Sequence, residues 1–220
     1  MSISAEMRER FMKLSTTNVS DALDALGLKG STYGIRPIWH TMGKICGSAV
    51  TVKMTAAGLT KAEHHLGTRA IEFAQKGDII VVDNGGRIDT SCWGGVLATG
   101  AKYKGISGVV IDGACRDVDD CVDLDFPVYC RGSVVATARG RIMEESTNSM
   151  IQFAGVQVRP GDFIMGDKSG VVVVPQEKID EVLAKAEELF EKEESMIRSI
   201  LNGEPMLSVD SRSGYEQMLK

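Results

Sequence analysis

A chain of 220 residues, 43% hydrophobic and 25% charged, carries enough apolar material to close one compact domain around its own core, with an appended helix. Its net charge of −5 and the absence of any Lys/Arg cluster argue against a nucleic-acid-binding face. The opening MSISAEMRERFMKLS is amphipathic without an apolar signal-peptide centre, and runs such as Val171–Pro175 are far shorter than the ~20 residues that span a bilayer. A soluble, cytoplasmic protein that binds neither membrane nor nucleic acid is expected.

In chain order, residues 4–14 read as an amphipathic helix and 18–26 as a second, with Asn18 or Ser20 as cap and Gly27 as stop. Gly47–Thr55 alternates and is β-branched, which predicts a strand. Lys61–Gln75 has a helical pattern. Asp78–Asp83 is a short apolar strand running into an Asn84-Gly85-Gly86 loop.

A helix over 94–104 closes at Gly105; a buried strand over 108–112 and a short helix over 117–123 follow. Pro127–Cys130 reads as a strand, and the polar stretch 131–150 has no clear pattern. Strand signals return at 153–158, 162–165 and 170–174, the last two joined by a hairpin turn at 166–170. From 176 to 201 one long helix carries Ile179, Val182, Leu183, Ala186, Leu189, Phe190, Ile197 and Ile200 on a single stripe. The strand–helix alternation in the middle predicts parallel βαβ units in a single α/β domain, flanked by N-terminal helices (1–27) and a C-terminal helical extension (176–220).

Five cysteines, an odd number without a C-x-x-C spacing, read as reduced structural thiols. His40, His64 and His65 are too few for a His-rich zinc site, although His64 and His65 lie where a proton shuttle could sit. The chemistry concentrates between Asp78 and Arg131. Two strands there end in Asp-Asn-Gly-Gly (83–86) and Asp-Gly-Ala-Cys-Arg-Asp (112–117), and loops beyond the carboxyl ends of parallel strands are where α/β proteins gather ligands. Trp93-Gly94-Gly95-Val96-Leu97 opens a helix between them. Free N–H groups there suit a carboxylate, and paired glycines admit it to the backbone. Arg116 suits a carboxylate or a developing oxyanion, and Asp117 is a hard ligand of the kind that holds Mg²⁺. On spacing alone, Asp117 reads first as the cap of a short helix, with Arg116 in a surface ion pair.

Gly95, twenty intervening residues, Arg116-Asp117, two residues and Asp120 form G-x20-R-D-x2-[ED], a pattern that resembles the RraA-like family. TTNVSDALDALG, GDIIVVDNGG, GVVIDGACRD, FPVYCRG and GVVVVP are similar too, so the resemblance spans roughly residues 15–205. The family includes 4-hydroxy-4-methyl-2-oxoglutarate/4-carboxy-4-hydroxy-2-oxoadipate aldolases. The resemblance implies a three-layer α/β/β swivelling-domain-like sandwich, assembled as trimers or hexamers with sites between subunits. It also implies a class II pyruvate aldolase or oxaloacetate decarboxylase that works through a metal-bound pyruvate enolate. Mg²⁺ or Mn²⁺ would be held at Asp117, the oxyanion at Arg116, and the pyruvyl carboxylate at the Gly94, Gly95, Val96 and Leu97 amides.

Two positions depart from that pattern or leave it open. The aldolases carry a water-positioning aspartate where this chain has Gly95, leaving Asp83, Asp89 or Asp112 to replace it. They also borrow a glutamate from a neighbouring subunit's C-terminal helix; Glu193 at the centre of the apolar stripe is the first choice and Glu194 the second. The family's other branch implies a different reading, a non-enzymatic regulator that binds ribonuclease E. A third is an enzyme whose reaction is altered by Gly95.

Overall fold

The computed structural model describes residues 3–39 and 42–214, so His40 lies outside the described residues. The described residues form eleven strands: β1 (Arg36–Pro37), β2 (Ile45–Ala56), β3 (Ile79–Ser91), β4 (Gly108–Cys115), β5 (Val128–Cys130), β6 (Gly132–Ser133), β7 (Ile142–Thr147), β8 (Ile151–Phe153), β9 (Val156–Val158), β10 (Phe163–Asp167) and β11 (Gly170–Val174). Among the same residues seven α-helices accompany them: α1 (Ala5–Lys13), α2 (Thr16–Ala25), α3 (Thr68–Phe73), α4 (Gly95–Lys104), α5 (Val118–Asp123), α6 (Ile179–Leu201) and α7 (Met206–Ser213).

Strands β2, β3, β4 and β5 are mutually parallel, with α3, α4 and α5 as their crossovers. The main path runs β1-β5-β4-β3-β2-β10-β11, with antiparallel strands at both ends. Gly30 and Thr32 hydrogen-bond to β11 just before the chain enters β1, so the sheet is nearly closed. The β8–β9 hairpin forms a small separate sheet.

The period of two in the central strands sorts their side chains between two cores. Ile80, Val82, Val109 and Ile111 pack with Trp93, Ala98, Ala101 and Phe126 among the crossover helices. Ile79, Val81 and Val110 face the other way, against Phe153 and Val158 of the hairpin. Burial on both faces explains why β4 reads as an unbroken apolar run interrupted only by Asp112. A third core lies between α1, α2, α6 and β10–β11, where Phe11 packs on Phe163 with ring centroids 4.1 Å apart.

Several elements differ from the sequence expectation. The helix expected over 61–75 forms only at Thr68–Phe73. Residues 61–65 are all exposed and give no apolar stripe on which two earlier turns could dock. Helix α2 begins at Thr16 because Ser15, not Asn18 or Ser20, is the cap; Ser15 and Asn18 form a reciprocal capping box. Strand β3 continues through Asn84–Gly86, where Gly85 and Gly86 adopt positive φ and the β4 register shifts, so the expected loop is a bulge. The stretch 153–158 is a hairpin turning on Ala154 and Gly155, both at positive φ, which suits a two-residue connection. The undetermined 131–150 holds β6 and β7.

Gly47 in β2 tests how tightly the layers meet. A Cβ there would lie 2.2 Å from the Gly77 carbonyl oxygen, which is backbone and cannot rotate away. Gly47→Ala is expected to destabilise the fold by about 2 kcal/mol, read as a lowered urea midpoint with unchanged slope.

Candidate active site

Strand β4 is buried to its last residue, and the chain then delivers Arg116 and Asp117 to solvent at its carboxyl end. Asp117 occupies the left-handed region at φ 54°, ψ 47°, a conformation that Asp tolerates better than most residues. It stands at the N-cap position of α5, yet its side chain makes no cap hydrogen bond. The carboxylate turns instead toward the start of α4. There Oδ2 accepts the Gly95 N–H at 3.1 Å and lies 3.2 Å from Arg116 Nε. The capping alternative for Asp117 is thereby set aside by geometry.

Backbone bonds hold the two segments together. Arg116 N–H donates to Trp93 O at 2.9 Å, and Cys92 N–H to Ala114 O at 3.0 Å. Gly94, the N-cap of α4, has no side chain with which to cap the helix. Gly95 N–H is committed to Asp117, so the N–H groups of Val96 and Leu97 are the helix donors left for an anion. Gly94 is extended, so its glycine is required by proximity rather than by φ. A Cβ there would fall 2.6 Å from Asp117 Oδ2 and 3.2 Å from Arg116 Cγ.

A cavity of about 160 Å³ opens at this point, lined by Gly94, Val96, Leu97, Arg116 and Asp117 together with His65, Ser91, Trp93, Thr137 and Arg139. The predicted residues other than Glu193 therefore converge, with Gly95 just behind Asp117. Trp93 is buried against Phe126 and also lines the cavity, with no partner for its indole N–H among the described residues. His65 is exposed at the rim, and its carbonyl accepts from Thr68 Oγ1. Arg139 and Thr137 carried no sequence signal; the patternless stretch 131–150 brings them in.

Cys92 and Cys121 beneath the site are free, buried thiols. Burial, with the negative charges of Asp117 and Asp120, pushes Cys121 up to about 11, and burial likewise raises Cys92, so neither is poised as a nucleophile.

Asp83 and Asp112 are not at this cavity. They line a separate cleft of about 930 Å³ with Lys53, Arg87 and Arg131. Asp112 there takes Arg131 Nε at 2.5 Å and the Ala154 N–H at 2.8 Å, which pins the β8–β9 turn. Asp83 is raised by burial and accepts the Gly85 N–H at 3.0 Å. Asp89 is bound in a bidentate pair to Arg87. These three thus have structural partners, and the carboxylate that stands over Gly95 is that of Asp120, whose Oδ2 lies 2.3 Å from where a Cβ on Gly95 would be.

Glu193 lies on α6, half-buried, and accepts Asn18 Nδ2 at 2.7 Å; it borders a groove with Met196, Ile197, Ile200 and Met206. Within one chain it does not line the Arg116–Asp117 cavity. No helix among the described residues is long and apolar enough to cross a membrane.

A carboxylate and a guanidinium thus stand together at the mouth of a central parallel strand, against the first turn of a helix, in a mixed α/β protein. The family model described as RraA-like, Aldolase/RraA, matches residues 16–173. A Halalkalibacterium halodurans protein named "Putative 4-hydroxy-4-methyl-2-oxoglutarate aldolase" is 36% identical over 191 residues, 87% of each chain. Protein DlpA of Legionella pneumophila is 31% identical over 209 residues; that match covers 95% of this chain but only 34% of DlpA, so the chain spans about a third of that relative's length. The crystal structure of an uncharacterized protein from Pseudomonas syringae pv. tomato superposes with TM-score 0.88 at 30% identity, over 96% of this chain and 95% of the other. The chain belongs to the RraA-like family.

Proposed function

We propose that this chain is a divalent-metal-dependent lyase of small 2-oxo acids, acting as a pyruvate aldolase, an oxaloacetate decarboxylase or both. The observation that carries the reading is the Asp117 carboxylate, turned off its own helix and set beside Arg116 at the start of α4. The relative named as an aldolase supports lyase chemistry on this fold.

Among the described residues no group of three or more His, Cys, Asp or Glu side chains is placed to enclose a metal. Asp117, with Asp120 beside it, fits instead the open arrangement in which Mg²⁺ or Mn²⁺ is held by one or two carboxylates and retains several waters. Such an ion would supply Lewis acidity to the substrate's 2-keto oxygen. The chain's own groups do the rest. Val96 and Leu97 N–H receive the substrate carboxylate, favoured by the positive end of the α4 dipole. Arg116 stabilises the oxyanion on the 4-oxygen as the C3–C4 bond breaks and that fragment leaves as the second carbonyl product. Decarboxylation of oxaloacetate needs the same electron flow toward the 2-keto oxygen, with carbon dioxide leaving.

In this reading a second copy completes the site, in a trimer or hexamer, with Glu193 or Glu194 delivered from the partner's α6. Ile197, Leu201, Met206 and Leu207 on α6–α7, and Val96 and Tyr103 on α4, are large apolar side chains left exposed in one chain, as such an assembly requires. The purified protein is expected to release pyruvate from oxaloacetate and from 4-hydroxy-4-methyl-2-oxoglutarate with Mg²⁺ or Mn²⁺, and to stop with EDTA. Silence on both substrates with either metal overturns the reading and favours a binding regulator.

A further inference from the structure

We propose that Cys115 and Cys130 form a peroxide-sensitive thiol pair that closes to a disulfide directly behind Arg116. The covalent step is independent of the lyase reading; its effect on turnover rests on that reading.

The pair is assembled from two strand ends. Cys115 is the last residue of β4 and Cys130 the last of β5. Both belong to the core beneath the crossover helices, and their Sγ atoms lie 3.7 Å apart, in van der Waals contact. Backbone bonds hold the two segments side by side: Arg131 N–H donates to Gly113 O and Val134 N–H to Cys115 O, both at 2.9 Å. A disulfide needs its sulfurs about 2.0 Å apart, so side-chain rotation with a small backbone shift closes the gap. Packing as small hydrophobes explains why each thiol is buried, but it does not require the two sulfurs to touch.

Cys130 is 2% exposed and Cys115 is fully buried, which favours an oxidant scarcely larger than water, hydrogen peroxide, over a bulky disulfide. The hydrogen bond shared with Cys115 draws Cys130 below the ordinary thiol range against the opposing effect of burial, so Cys130 is the attacking sulfur. Its attack forms an S–O bond and breaks the O–O bond, and the departing hydroxide takes the thiol proton and leaves as water. The Cys115 sulfur then attacks the sulfenic sulfur. The S–S bond forms, the S–O bond breaks, and a second water leaves with the Cys115 proton. Two electrons pass from the two thiols to one peroxide. Cys115 directly precedes Arg116, and Cys130 directly precedes Arg131, the partner of Asp112. Drawing the sulfurs together therefore shifts the backbone that carries Arg116, and a misplacement of about 1 Å at a reacting centre is enough to slow turnover severely.

The test is a thiol count. The full chain is reduced, exposed to excess hydrogen peroxide, denatured and alkylated, and its free thiols are counted by mass. Wild type should lose two of its five thiols and regain both with dithiothreitol. Tandem fragmentation should join Cys115 to Cys130; it is needed because Cys121 and Cys130 share the tryptic peptide 117–131. Cys130→Ala should keep all its remaining thiols and, when reduced, release pyruvate at the wild-type rate. Oxidised wild type should release pyruvate at least about fivefold more slowly until dithiothreitol restores it. Five alkylated thiols in wild type whose exposed Met150 has become a sulfoxide, or a bond to Cys121 or Cys92 in place of Cys130, overturns the pair. A Cys115–Cys130 disulfide with turnover within about twofold of the reduced protein overturns its hold on Arg116. Wild type silent on oxaloacetate in both redox states overturns the lyase reading, and the thiol count still decides the pair.

Discussion

Asp117→Asn is expected to lower metal-dependent pyruvate release at least ~100-fold, the equivalent of about 3 kcal/mol of lost charge stabilisation. Asparagine is chosen because it tolerates the left-handed backbone at φ 54°, where alanine would add strain. Its amide oxygen can still accept the Gly95 N–H that Asp117 Oδ2 holds at 3.1 Å. The local fold should survive, and circular dichroism and the thermal midpoint should match wild type. What is lost is the charge beside Arg116 and the hard anionic ligand. Asp117→Ala should be as inactive, with a small further loss of stability. If Asp117→Asn retains more than half of wild-type kcat in steady-state assays with Mg²⁺, Asp117 is not the metal position.

The largest expected loss of stability from a single polar residue is at Asp112. Its side chain is 9% exposed and satisfies both the Arg131 guanidinium and the Ala154 N–H. Asp112→Ala leaves a half-buried cation and a buried amide without an acceptor, at a cost of about 3 kcal/mol. Asp112→Asn, which keeps an acceptor for Ala154 and loses the charge opposite Arg131, should fall between. Urea unfolding followed by tryptophan fluorescence measures both. Equal stabilities for wild type and Asp112→Ala would show that Arg131 finds solvent or another partner and that the β8–β9 turn needs no anchor.

Strands β2, β4, β10 and β11 and helices α1, α4 and α6 were legible because burial on a face or stripe leaves a period of 2 or 3.6 in the chain. The first half of the expected 61–75 helix failed because polar residues with good helix propensity do not make a helix where nothing apolar docks it. Ser15 is not distinguished as the cap in the sequence because Asn18 and Ser20 offer the same chemistry and only the backbone chooses among them. β3 was cut short at Gly85-Gly86 because a bulge and a loop use the same residue types.

At the site the same division holds. The sequence by itself determined that Arg116 and Asp117 follow a buried strand, that a glycine-led helix precedes them, and that Gly95 stands twenty-one positions before Arg116. Spacing along a chain carries no information on where a side chain turns. Only the tertiary structure decided that Asp117 leaves its own helix for the first turn of α4, and that Asp83, Asp89 and Asp112 are held by other partners. It also decided that Arg139 joins the cavity from a stretch without pattern. Hydrogen bonds and van der Waals exclusion act across space between segments distant in sequence. That is why the space opposite Gly95 belongs to Asp120.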